Sequence, residues 1–155
     1  LAMSVKELVK PPEDFIGIVS PYNRCLQTAH KVWTLTGIKF RVRRAVGESP
    51  EEVHRGRSTA ILKKEEEFAC FDWSGFNGPS LNYDLESEEE YMARVQMFCE
   101  GLAHNKNYLI VSHMRPITHM TRILAFGGRK EPMTITNASL TLIEDGKPVY
   151  IGMAT

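Results

Sequence analysis

The sequence predicts an α/β fold, a mostly parallel sheet with helices on both faces. Two observations carry this. Phe15–Val19 and Tyr108–Val111 are short apolar runs, and each passes through a proline-bearing turn into a stretch of helical periodicity. Strand–turn–helix units of this kind build parallel sheets, because a crossover is needed to bring the next strand alongside in the same direction. A third observation sets the scale: 155 residues, 43% apolar and 25% charged, suffice for one domain with a core.

Leu1–Lys10 has apolar residues at Leu1, Ala2, Val5, Leu8 and Val9, the pattern of an amphipathic helix stopped by Pro11-Pro12. The chain thus opens inside an element. After the Phe15–Val19 strand, Ser20 is the expected N-cap and Pro21 the first helical residue. The helix carries Tyr22, Cys25, Leu26, Ala29, Val32 and Trp33 on one stripe, leaves Arg24 off it, and closes at Thr36-Gly37. Lys39–Arg44 alternates Phe40 and Val42 with basic residues, a half-exposed strand whose Arg41, Arg43 and Arg44 face solvent or a substrate. Ala45–Glu48 is a loop.

Ser49–Glu67 is predicted to be helical after Pro50, with the charge run Lys63–Glu67 as a solvated face. Phe68–Tyr83 mixes aromatic residues with Gly, Pro, Ser and Asn, too irregular for a helix and too long for a tight turn. Its Phe71, Trp73 and Phe76 either grip an organic group or simply pack the loop. Ser87–Glu90 is a capping box, opening a helix with Tyr91, Val95, Phe98 and Leu102 on one face. Beyond the Tyr108–Val111 strand, Ser112-His113-Met114 turns the chain into a helix opened by Pro116 and ended by Gly127-Gly128. Ser139–Ile143 and Pro148–Gly152 form a hairpin around Asp145-Gly146.

Composition narrows the function. A formal net charge of zero argues against nucleic acid or an anionic membrane as partner. Cys25, Cys70 and Cys99 are odd in number and lack a CxxC pair, which points to reduced thiols in a cytoplasmic protein. No apolar run approaches a membrane span and no signal-peptide pattern is present. Oligomeric state is not indicated. What remains compatible is a local basic site. Each strand–turn–helix unit sets a cationic or potentially cationic side chain, Arg24 or His113, at the carboxyl edge of a strand beside a helix N-terminus. A guanidinium fork and an imidazole together suit a phosphate; taken alone, His113 also reads as a satisfied core histidine.

Ser20-Pro21-Tyr22-Asn23-Arg24-Cys25-Leu26-Gln27-Thr28-Ala29 resembles the SPxxRxxQTA signature of the histidine phosphatase superfamily, the phosphoglycerate mutase-like proteins. Val111-Ser112-His113 resembles the second-histidine motif of that family, with Met114 where Gly is usual, and the resemblance runs from about Leu1 to Ile143. It implies a three-layer phosphoglycerate mutase-like fold and a phosphomonoesterase working through a phosphohistidine, with no metal or organic cofactor. The expected ligand is a small phosphorylated substrate or inorganic phosphate, held by Arg24, His113 and Met114. Glu48 lies 24 residues beyond Arg24, a separation resembling that from the family's motif arginine to its acidic proton donor, with Glu51 and Glu52 as competitors. Glu86 and Arg94 resemble a further family stretch, ESxxxxxxRv, read as structural. The insertion at about 49–86 would be a lid over the pocket, within a single domain spanning 1–155.

In the resembled family a first strand ending in Arg-His-Gly supplies the nucleophile. These residues contain no such motif; His54-Arg55-Gly56 has its letters in another order, and no buried strand leads into it. His30 and His119 sit nearly two helical turns beyond Arg24 and His113, too deep to share a phosphate, and HxxxxxH is not a metal-ligand spacing. The expected domain is therefore N-terminally incomplete, its first strand missing and its nucleophile absent: a fragment of an active enzyme, a natural variant that binds without turnover, or a chain completed by a partner's strand. The alternatives to a phosphatase are a non-catalytic phosphate-binding or interaction module of the same fold, and a phosphoglycerate mutase, whose group-redonating residues are not recognisable here.

Overall fold

The computed structural model describes residues 2–48, 59–75 and 86–154. Its elements are α1 (Ala2–Leu8), β1 (Phe15–Val19), α2 (Asn23–Thr36), β2 (Phe40–Val42), the single turn α3 (Thr59–Leu62), α4 (Glu88–Glu100), β3 (Asn107–Val111), α5 (Met114–Phe126), β4 (Ser139–Glu144) and β5 (Lys147–Ala154). Short 3-10 turns add Pro12–Asp14, Arg44–Val46 and Glu66–Phe68.

Strands β2, β1 and β3 form a parallel sheet in that order, with Gly17 of β1 opposite Phe40 on one side and Leu109 on the other. Side-chain alternation along the strands feeds two cores. Val19, Phe40 and Val42 join Val5 of α1, Val9 just beyond it, and Leu26, Ala29 and Val32 of α2, with Leu109 and Val111 packed against them. Ile18 joins Tyr91, Val95 and Cys99 of α4 and Met120 of α5, with Ile16, Tyr108 and Ile110 alongside. Helices therefore cover both faces, a three-layer arrangement in which a strand buried on both sides must be apolar throughout. Beside β2, Asp72 exchanges hydrogen bonds with the strand, its N–H to the Phe40 carbonyl and its carbonyl from the Val42 N–H. β4 and β5 form a separate antiparallel pair, turned by Asp145 and Gly146 at φ 49° and 72°. Both angles are left-handed, as a two-residue hairpin loop requires. Among the described residues no helix is long and apolar enough to cross a membrane.

Several local expectations need correction. Helix α2 begins at Asn23 with Tyr22 as its N-cap, not at Pro21 after Ser20. The Ser20 N–H instead bonds the Val111 carbonyl at 3.0 Å, extending the pairing of β1 with β3 by one residue and delaying the helix. Helix α5 begins at Met114 with His113 as N-cap, so Pro116 falls inside the first turn rather than opening it. The helix expected over 49–67 is, in its described part, one turn at Thr59–Leu62 followed by bends and a 3-10 turn. Leu62 and Phe68 both bury completely in the first core. Six residues apart, they would stand roughly a third of a turn from each other around one helix, and the break in the helix lets both point into the core. Phe71 does not grip a ligand: it is buried, edge-on to Phe40 and stacked on Phe68. Trp73 is packed against the same core, its indole N–H donated to the Phe68 carbonyl. Phe76 lies outside the described residues, as do 49–58 and most of the loop beyond it, so the lid expectation falls largely there. Leu102 lies past the end of α4, and Cys99 takes the buried place instead.

Candidate active site

The last register pair of the central strands, Val19 with Val111, sets two turns side by side at the carboxyl edge of the sheet. From the first turn α2 rises with Arg24 as its second residue; from the second, α5 rises with His113 as its N-cap. Residues 89 positions apart thereby meet: Arg24 Nη2 lies 2.8 Å and Nε 3.2 Å from His113 Nδ1.

The protonation pattern follows from donor chemistry. A guanidinium only donates, so Nδ1 must accept, and the proton of the neutral ring sits on Nε2. Nε2 then donates to Ser20 Oγ at 2.8 Å. The Cys25 thiol, 3.5 Å from Nε2, donates to the Ser112 carbonyl, and burial pushes its pKa up to about 12, so it is a thiol and not a nucleophile at neutral pH. The Tyr22 ring meets the imidazole edge-on at 4.8 Å and lies under the Arg24 guanidinium at 5.2 Å. The third member is Glu48, whose Oε2 is 3.7 Å from Arg24 Nη2 and 3.6 Å from His113 Nδ1. Side-chain exposure orders the group: His113 at 3% and Glu48 at 7% lie inside, while Arg24 at 50% stands at the mouth. Two cation-capable groups and a carboxylate thus surround one point at the N-termini of two helices, where backbone dipoles favour negative charge.

With this geometry in place, comparison with known proteins is decisive: the family model for the histidine phosphatase superfamily (branch 1) matches residues 2–148. The chain belongs to the histidine phosphatase superfamily. No match is found among curated proteins. Members of this superfamily are in general phosphatases and mutases.

For this histidine phosphatase superfamily member, the structure brings Arg24, His113 and Glu48 together. Met114 takes the first position of α5 and is exposed; what it offers an anion is the backbone N–H of a helix terminus. Glu51, Glu52 and His54 lie outside the described residues. The other described histidines stand elsewhere. His30 pairs with Glu67 at 3.6 Å and lies against Trp33, His119 lies near Tyr91, and His104 is exposed. Arg41 pairs with Asp72, and Arg43 donates to the Val42 carbonyl, so both are engaged along the β2 edge.

Reading the sequence missed three contributors. Ser20 looked like a helix cap but is fully buried and holds the imidazole. Tyr22 looked like a core residue and forms a wall of the pocket. Ser112 donates its hydroxyl to the Val46 carbonyl at 2.6 Å, tying the His113 turn to the loop that carries Glu48. The available signal was positional: Ser20 and Ser112 each follow the last residue of a central strand.

Proposed function

We propose that this chain is the phosphate-holding part of a phosphomonoesterase acting on a small phosphorylated substrate through a phosphohistidine intermediate. The observation that carries the reading is the convergence of the Arg24 fork and the His113 ring, 2.8 Å apart, with Glu48 within 3.7 Å of both. Phosphoryl transfer needs positive charge on the equatorial oxygens and a proton for the leaving oxygen. Arg24 supplies parallel donors. As an oxyanion enters, the fork turns from Nδ1 to the phosphate, and Nδ1 takes up a proton to face it. Glu48 gives its proton to the leaving oxygen as the phosphorus–oxygen bond breaks and a phosphorus–nitrogen bond forms. It then takes a proton from the water that cleaves the phosphoenzyme.

The nucleophilic nitrogen is not among the described residues of this pocket, where His113 is the one histidine. The outer edge of β3 has no strand paired to it among the described residues, while its inner edge carries the whole Phe15–Val19 register. A further strand on that edge would end beside His113, and we place the nucleophile there.

The full-length gene product should release phosphate from a simple aryl phosphate and form an acid-labile phosphohistidine trapped by rapid quenching. Arg24→Ala should abolish both. Among the described residues the pocket holds one histidine, which suits one other reading, a non-catalytic binder of phosphorylated ligands: phosphate would then bind in an Arg24-dependent way with no turnover. If phosphate and vanadate neither bind nor protect the protein against heat, both readings fail.

A further inference from the structure

We infer that Arg94, locked by Glu86, is a positioning residue that sets the height of Glu48 in the pocket, an inference resting on the phosphatase reading above. Arg94 Nε and Nη2 each meet a Glu86 carboxylate oxygen at 2.7 Å, a two-point fork that leaves the guanidinium no rotational freedom. Its Nη1 then donates to the carbonyls of Arg44 at 3.1 Å, Ala45 at 2.9 Å and Gly47 at 3.4 Å, and Nη2 reaches the Glu48 carbonyl at 3.5 Å. One side chain thus gathers the carbonyls of the loop ending at the proposed acid.

The clamp is built to stay. Arg94 is 15% exposed and Glu86 11%, and the Arg94 guanidinium lies 5.2 Å over the ring of buried Tyr91, with Arg115 also 5.3 Å from that ring. Ser112 Oγ fastens the same loop from its other side through the Val46 carbonyl. Among the described residues, the hydrogen bonds of Glu86 and Arg94 run to each other and to the main chain of the Arg44–Glu48 loop, so the pair meets the pocket through backbone. A shift of about 1 Å in a proton donor matters because transfer requires heavy atoms within about 2.6–3.2 Å.

The test separates positioning of an acid from general support of the fold by the leaving group of the ester. A dinitrophenolate leaves without protonation, whereas an alkoxide needs a proton. In full-length protein, Glu48→Gln sets the reference, losing on the order of 100-fold or more in kcat/KM on an alkyl phosphate and under about 5-fold on dinitrophenyl phosphate. Arg94→Lys keeps the charge opposite Glu86 but cannot span carboxylate and carbonyls together. It should reproduce that asymmetry, with a loss of at least roughly 10-fold confined to the alkyl ester. Ser112→Ala carries the same readout should Arg94→Lys melt below the assay temperature. Equal losses on both esters, or none, overturn the inference and leave the phosphatase reading standing. A wild-type protein silent on both esters overturns the two together.

Discussion

Replacing Ser20 with alanine removes one oxygen atom from a fully buried position, and its effect follows from the hydrogen-bond chain through the site. Ser20 Oγ accepts the Nε2 proton of an imidazole whose side chain is 3% exposed. The variant takes away the acceptor at 2.8 Å, and the Cys25 sulfur at 3.5 Å, a weak acceptor, is a poor substitute for it in so buried a place. Losing one partner of a buried pair costs about 1–3 kcal/mol, more than the net worth of making the bond, because the remaining group keeps its desolvation penalty. For a chain of this size each kcal/mol moves the melting temperature by about 2–4 °C, which gives a fall of about 2–12 °C. Thermal unfolding followed by circular dichroism measures it. Thr34→Ala is the control: that hydroxyl is exposed and bonds only the His30 carbonyl one helical turn back, so its loss should stay within about 0.5 kcal/mol. Phosphate affinity should weaken in Ser20→Ala as well, since the ring no longer holds a single tautomer against Arg24. If Ser20→Ala melts with wild type and the control, the imidazole is not held through Nε2 and the protonation pattern argued above is wrong.

Two further outcomes follow from burial and close approach. Burial raises the Cys25 thiol to about 12 and the Cys99 thiol to about 11, from an ordinary 9.0. Between those values the unfolded chain ionises while the folded one keeps its protons, so stability present below pH 9 is lost as pH rises towards 12, at roughly 1.4 kcal/mol per pH unit for Cys25. Urea midpoints should hold steady up to about pH 8.5 and fall above it, less steeply in Cys25→Ala; an unchanged alkaline slope in that variant refutes the assignment. At Gly17, in the middle of β1, an added Cβ would lie 2.7 Å from the Lys39 carbonyl and 2.9 Å from the Phe40 ring. Gly17→Ala should therefore cost about 1–3 kcal/mol by forcing β1 and β2 apart, and a urea midpoint equal to that of wild type would show that the sheet adjusts freely there.

How much was legible in the sequence depended on how local the cause was. The apolar runs of β1 and β3, the capping box at Ser87 and the Asp145-Gly146 turn are each dictated within a few residues, and the structure has them where the pattern put them. Arg24 and His113 were legible because each is fixed by its own strand end, and two adjacent parallel strands bring such ends together as a matter of topology. Ser20 was misread because its local signal, a serine before a proline, is also that of a helix cap. A contact with residue 113 overrode it, and nothing within ten residues of Ser20 records that contact. Arg94 was similarly opaque: the spacing from Glu86 suggested a structural pair, but the carbonyls it gathers lie 46 to 50 residues earlier in the chain.

The contrast between the tight backbone contacts of the Glu48 loop and the looser distances from its carboxylate to Arg24 and His113 bears on how such a site works. Its loop is held by hydrogen bonds of 2.6, 2.9 and 3.1 Å to the carbonyls of Val46, Ala45 and Arg44. Its carboxylate, by comparison, meets Arg24 and His113 at 3.7 and 3.6 Å, within reach of charge but beyond a good hydrogen bond. A carboxylate bound tightly by a guanidinium would stay ionised and give up its role as a proton donor. If Glu48 is the acid proposed above, fixing it through its main chain avoids that conflict, since rigid carbonyl contacts set where the group stands without dictating its protonation. On the proposed reading the Arg24 fork turns to the incoming oxyanion, and once its charge is neutralised there, the carboxylate beside it gains a reason to hold a proton. Loop anchoring and the proposed acid function are thus separable, which is why a change at Arg94, outside the pocket, is expected to read out in the leaving group.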